Sequence, residues 1–493
     1  MLKKLISLCV TALAAAGMIF GASYLPTNGW IVGSAASFSP AQVKAKDLTL
    51  VCPGSVFATG GKSGTNVNAF TRIGSAVVDY SSNLPTGVVL KAQPLTGPVA
   101  GRSTLGDTGN QLANLATQSA LGITVKDQLG KAPQSSTIFT AQSYQVAASD
   151  GINGTIGANC QLPATESWLL GGVTTVGREA LLILSNPAAT DATVDLQLFG
   201  ETGLIDGAGL NGISVSANRT VVLPLAGYAP EQKSLAVHVT TRGAALASWI
   251  QERTVRGTVS AGADLISPSI PAAKSLIIPG LLKRGTGDAS ALIENNSDYA
   301  DLTPSIHVLV PGAKTATVTV QVIGVGDKVT GTVLQQQVEA GRTGQFAITG
   351  LKDGDYSVFV LADQPVQAAV KLSRTKKGSK PITDFAWLNA VAPLSSKVAA
   401  VAANSAISKL SIAASGSRPA TVVITDLSKG GSQTVAVPKL GSVTVTVTPG
   451  SAFSVAADQP VASTLIADFE GSLAAIPLQD YHNTGGSLAV LVR

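Results

Sequence analysis

The chain offers few residue groupings that could carry chemistry. Gly61-Lys62-Ser63 matches the close of a nucleotide-binding P-loop, but that loop needs a glycine five residues before the Gly-Lys pair, and Val56 stands there. The lysine should also open a helix facing the phosphate, whereas Lys62 leads into Ser-Gly-Thr-Asn-Val-Asn and then the strand-like run Ile73–Tyr80. A Gly/Ser turn between strands is the better reading. His238, His307 and His482 lie far apart, and the first two sit within strand-like runs, which makes them strand-face residues rather than ligands or bases. No Gly-x-Ser-x-Gly elbow and no His-Glu-x-x-His occurs in the sequence. The acidic segments Asp298–Asp301 and Lys352–Tyr356 have calcium-type oxygens but too few carboxylates, and they read as turns.

Two groupings are binding candidates. Lys371, Arg374, Lys376, Lys377 and Lys380 concentrate positive charge in what reads as one loop, suited to an anionic wall polymer or lipid headgroups; a solvated linker is the plainer alternative. Trp168, Trp249 and Trp387 stand near domain starts or ends, where they would form a carbohydrate platform or, more commonly, fill the seams between domains. No metal, cofactor or catalytic residue is indicated.

Cys52 and Cys160 are an even pair beyond the N-terminal segment, which in an exported chain is most simply a disulfide. The chain-entropy model gives a loop of about 108 residues roughly 4.7 kcal/mol as an upper figure. Export is suggested by Lys3-Lys4 ahead of an apolar run from Leu5 to Leu25, about 21 residues, long enough to span a bilayer. Gly21-Ala-Ser23 and Ser34-Ala-Ala36 are poorly placed for cleavage, which favours an uncleaved anchor over a removed signal. Cys9 follows Leu8 where a lipoprotein needs a small residue.

These residues must be positioned by strands. Only 13% of the 493 residues are charged, against about 25% in ordinary soluble proteins, and Gly, Ala, Ser, Thr and Val dominate. The net charge of +5 without a basic run interleaved with aromatics argues against a nucleic-acid partner. Ala-Thr-Val recurs at 192–194, 316–318 and 420–422, each opening an alternating run in which, for example, Val194, Leu196 and Leu198 share one face. Asp-Gln-Pro-Val recurs at 363–366 and 458–461 after a strand-like run. The periodicity predicts an all-β chain: an N-terminal transmembrane or signal helix (1–26), a linker (27–44), a disulfide-stapled β-rich domain (45–165), and three tandem immunoglobulin- or fibronectin-like β-sandwiches at 166–268, 269–380 and 381–493. Linkers are expected near Ser267–Ala273 and Lys376–Pro381.

Leu50-Val-Cys-Pro-Gly54, Cys160 with Glu166-Ser-Trp-Leu-Leu-Gly-Gly172, Leu184-Ser-Asn-Pro187 and the repeated Asp-Gln-Pro-Val strands together resemble an uncharacterised actinobacterial family of membrane-anchored or secreted proteins, a domain of unknown function. Leu169, where an aromatic is expected, and the extra segment Lys283–Thr303 depart from its pattern. The resemblance implies a cell-envelope location and supplies no catalytic residues. The expectation is a non-catalytic structural or interaction protein on the outer face of the cytoplasmic membrane, secreted if the leader is cleaved, with an envelope protein or cell-wall polymer as partner. The alternatives are a cell-surface polysaccharide-binding module, which would expose its Trp or Tyr side chains in a row, and an envelope hydrolase, which would join a His or two carboxylates to a nucleophile in a pocket.

Overall fold

Alternation of apolar and polar residues is translated directly into strands. Val194, Leu196 and Leu198 are buried on Ala192–Gly200 while Thr193, Asp195 and Gln197 are not, and Ala316–Gly324 and Ala420–Asp426 repeat the pattern. The structure, a computed structural model, describes residues 37–42, 47–59, 70–84, 87–97, 103–106, 109–127, 138–149, 152–326, 330–376, 378, 381–394, 396–404, 407–469, 471–480 and 487–492. The expected N-terminal helix, Lys62, His482, Lys377 and Lys380 lie outside these residues. Among the described residues no helix is long and apolar enough to cross a membrane. The chain divides into two units, residues 1–45 with 484–493, and residues 46–483. In the first, Ser37–Gln42 pairs antiparallel with Ser487–Val492, so part of the expected 27–44 linker is strand.

The second unit holds four β-sandwiches that share one strand order. The last shows it most simply: strands one to eight are Val398–Val401, Ile407–Ala414, Ala420–Asp426, Ser432–Val437, Ser442–Val447, Ala452–Ala457, Val461–Asp468 and Leu473–Pro477. One sheet runs one-six-three-four and the other five-two-seven-eight, and both contribute side chains to a common core around Leu410, Val422, Val455 and Leu465. The segment 48–159, expected only to be β-rich, has the same order, with strand one at Leu48–Cys52 and strand eight at Ile152–Asn159. The hairpin of Phe57–Thr59 with Phe70–Arg72 is inserted between its first two strands and flanks the Gly-Lys-Ser stretch. The segment 166–266 repeats the order with strand four split into Gly203–Ile205 and Ile213–Val215. The segment 273–389 fuses strands six and seven into the single strand Gly354–Lys376, whose first half pairs in one sheet and second half in the other.

Two expectations are corrected by this pairing. In the immunoglobulin order the first strand lies beside the second and the seventh beside the sixth. Here the first lies beside the sixth and the seventh beside the second, so the terminal strands have traded sheets while the two-five and three-six pairs remain. The boundary expected at 380/381 also cuts a hairpin, because Ile382–Asn389 pairs with the second half of Gly354–Lys376. Lys376–Pro381 therefore joins two strands of one sandwich, whereas the other expected linker, Ser267–Ala273, runs from one sandwich to the next.

The repeated motifs bind each other. Asp363 Oδ1 accepts the N–H of Thr317 at 2.9 Å, and Asp458 Oδ1 accepts that of Thr421 at 2.7 Å. In both copies the aspartate of Asp-Gln-Pro-Val clips the Ala-Thr-Val strand at the point where the chain passes from sheet to sheet. The remaining acidic segments also serve structure. Asp353 accepts the N–H groups of Gly285 and Thr286 and caps the helix Thr286–Asn295, and Asp355 is paired with Arg284 and Lys409. Asp301 is held by Arg178 and Arg256.

Cys52 and Cys160 form the expected disulfide, which ties the end of strand one to the residue after strand eight, across the two sheets of the first sandwich. The neighbouring Val51 and Gln161 exchange both backbone hydrogen bonds at 2.8 Å. Replacing both cysteines by serine should lower stability by about 2–5 kcal/mol. Denaturant unfolding should show it, and reductant should have the same effect on the unsubstituted protein and none on the variant.

Candidate functional site

The eighth strands of the four sandwiches, Ile152–Asn159, Val259–Ile266, Ile382–Asn389 and Leu473–Pro477, meet at one junction. At its centre is Asp384, 1% exposed. Its Oδ2 accepts the N–H of Thr155 at 2.9 Å and of Leu473 at 3.1 Å, and its Oδ1 accepts that of Ala263 at 3.3 Å. One carboxylate on the third sandwich thus bonds the backbones of the other three. The close approach needs glycine: a Cβ on Gly154 would lie 2.6 Å from Asp384 Oδ1, and Gly262, at φ +116°, would meet both Asp384 and Phe385. Burial pushes the Asp384 carboxyl up to about 7 against the pull of these N–H donors.

A second buried cluster joins the second and third sandwiches. Glu252, with no exposed surface, is paired with Lys371 and accepts the indole N–H of Trp387 at 3.0 Å. The backbone N–H of Trp387 donates to Asp264 Oδ2 at 2.7 Å. Lys371 Nζ also lies 4.1 Å from the Phe385 ring centroid. Burial raises the carboxyls of Glu252 and Asp264, with Lys371 opposing the rise at Glu252. His307 sits beside Trp387 with Ser234 Oγ 2.9 Å from Nδ1 and Ser305 Oγ 3.1 Å from Nε2. Burial, then the Lys371 charge, push its imidazole down to about 3, so it is neutral. Histidine and serine do meet here, but both His307 and Ser234 are fully buried, and among the described residues no carboxylate orients the ring.

The three basic candidates that are described, Lys371, Arg374 and Lys376, therefore lie on a strand and not in one charged loop. Lys371 and Arg374 lie on the strand Gly354–Lys376; Lys371 is 5% exposed and bonded to the second sandwich, and Arg374 is paired with Asp468 of the fourth. Lys371 is inaccessible to a polymer because it is buried against Glu252. Lys376 is at the exposed end of that strand. The tryptophans do not form a row either: Trp249 fills the seam between the first and second sandwiches and Trp387 that between the second and third.

Trp168 differs. It is half-buried and lines a cleft of about 480 Å3 where the connections between sandwiches converge: Gln161 and Leu162 between the first two, Ser269 between the second and third, Gln367 on the third and Gln479 beyond the fourth. The indole stacks on His238, centroids 3.9 Å apart and planes 10° from parallel. Glu166 accepts from both rings, from His238 Nε2 at 2.9 Å and from the indole N–H at 3.4 Å. His238 is the strand-face residue expected of it. Asp384, Glu252, Asp264 and Gln367 went unnoticed in the sequence, although each is a polar residue inside an apolar strand run, which is the one signal available for them.

A family model described as a family of unknown function, DUF5719, matches residues 114–458, and the chain belongs to that family. No curated protein matches it. Among solved structures, the crystal structure of Thermotoga maritima 1070 is 15% identical with a TM-score of 0.16, covering 23% of this chain and 92% of that one. The FN1–FN3 domains of chicken CNTN1 are 9% identical with a TM-score of 0.09, covering 64% and 99%. Both scores fall below the level that marks a common fold.

The buried pairs make two predictions. Lys371→Met strands the Glu252 charge and should cost about 3–5 kcal/mol, while Lys371→Met with Glu252→Met should recover most of that, as read by denaturant unfolding. Asp384 has a folded-state pKa above its unfolded value, so its contribution is full below about 4 and is lost as pH rises through about 7, up to ~4 kcal/mol. The stability of the unsubstituted protein relative to that of Asp384→Asn should therefore fall as pH rises from about 4 through about 7.

Proposed function

We propose that this member of DUF5719 is a non-catalytic structural and interaction protein of the cell envelope, held at the outer face of the cytoplasmic membrane by its N-terminal segment, or secreted where that segment is cleaved. The observation that carries the reading is the use made of its reactive groups. Glu252, Lys371, Asp264, Asp384, His307 and Arg374, the side chains best suited to acid–base or electrostatic chemistry, bond one sandwich to another or sit sealed between them. Chemistry of that kind fixes the relative positions of domains and so preserves a defined outer surface. The Cys52–Cys160 disulfide supports an oxidising compartment. The partner in this reading is an envelope protein or a cell-wall polymer, not nucleic acid.

A polysaccharide-binding role is the second reading, favoured by the half-exposed Trp168 in its cleft. Protease added outside intact wall-stripped cells should digest the full-length protein, and thiol labelling before lysis should find Cys52 and Cys160 blocked. Protection from protease together with free thiols would sink the envelope assignment.

A further inference from the structure

We propose that the cleft beside Trp168 is a binding site for a neutral saccharide, a short stretch of an uncharged polymer chain. This deepens the interaction reading above and rests on it. The first support is a set of polar atoms without partners. Gln161 Oε1 accepts the N–H of Ser248 at 3.3 Å, which leaves Gln161 Nε2 with no hydrogen bond. Gln367 Nε2 donates to the carbonyl of Ile270 at 3.4 Å, which leaves Gln367 Oε1 with none, and Ser269 Oγ has none either. Gln161 and Gln367 are 5% and 2% exposed, so the polar groups are out of bulk water, where an unmade hydrogen bond is costly. All three residues line the same cleft.

The second support is the aromatic wall. Stacking on His238, itself bonded to Glu166, fixes the orientation of Trp168 before any ligand arrives, which lowers the cost of binding. A flat, fixed indole offers an apolar face with a polar edge, the complement of a sugar ring whose C–H groups lie on one face and hydroxyls around the rim. The unused atoms are one donor, one acceptor and one hydroxyl that is both, which matches hydroxyl groups that also act both ways. The third support is charge. Among the described residues Glu166 is the only charged one lining the cleft, which disfavours anionic polymers there. A volume of about 480 Å3 falls in the range of roughly 300–1,000 Å3 typical of small-molecule sites. Because the walls come from the connections and faces of several sandwiches, the site exists only while the junction is closed, and a ligand should raise the unfolding temperature.

The test titrates the full-length, oxidised protein with neutral oligosaccharides of glucose, mannose, galactose and arabinose, following calorimetry and tryptophan emission, with a proline-rich peptide and polyphosphate in parallel. One neutral series should bind saturably, raise the unfolding temperature, and bind at least about ten-fold more weakly to Trp168→Ala and to Gln367→Leu. Lys376→Gln should bind as the unsubstituted protein does. Each variant is first shown to keep its circular dichroism and cooperative unfolding; if Trp168→Ala does not, Ser269→Ala takes its place with Gln367→Leu. No saturable binding at millimolar saccharide, or binding unchanged in the variants, would overturn the proposal and mark the cleft as water-filled. Peptide binding lost in the Trp168 variant would also overturn it, while leaving the envelope-interaction reading intact. Polyphosphate binding that depends on Trp168 would refute the charge argument and with it the neutral ligand.

Discussion

The position of every sandwich in residues 46–483 is tied to one carboxylate. Asp384 reaches from the third sandwich to a backbone N–H on each of the other three. An isolated buried carboxylate would cost far more than it returns, and the three backbone N–H donors oppose that cost at Asp384. Amides are geometric fixtures of their strands, so the bonds at Asp384 link the four sandwiches at fixed points of their backbones. The glycines at 154 and 262 belong to the same constraint, since any side chain there would push the carboxylate away.

Much of the architecture was legible in sequence because strands alternate with a period of two and turns recur. The Ala-Thr-Val runs, the Asp-Gln-Pro-Val crossings and the Cys52–Cys160 bridge all appear where the pattern places them. Register within a strand is local information. Which neighbour a strand chooses is not: nothing in Glu166–Leu170 announces that it will lie beside strand six rather than strand two. The first sandwich escaped notice as a fourth copy because it lacks the Ala-Thr-Val marker and carries an inserted hairpin. The basic cluster misled for a related reason. Lysine in a sequence reads as surface charge, and only the approach of Glu252, 119 residues away, turns Lys371 into a core residue.

The trade of terminal strands gives the junction its form. With strand seven beside strand two, the seven-eight hairpin projects strand eight at the edge of its sheet in each sandwich. An unpaired sheet edge invites association, and natural proteins usually cover it. Here four such edges are brought against one another, so the feature that would be a liability in a single sandwich becomes the contact that assembles four. Trp249 and Trp387 then fill the seams, and the cleft at Trp168 is left where the connecting segments, rather than the sheets, form the wall.

The long strand Gly354–Lys376 belongs at once to both sheets of its sandwich. In the second and fourth sandwiches short connections, 243–246 and 458–460, break the chain between strands six and seven. A continuous strand has no such joint. A pull applied along the chain would load the two sheets of the third sandwich together, as a single strip. The domain that carries Asp384 is thereby one whose two sheets share a continuous backbone, and tension reaching the junction would be borne by that backbone before it reached the carboxylate.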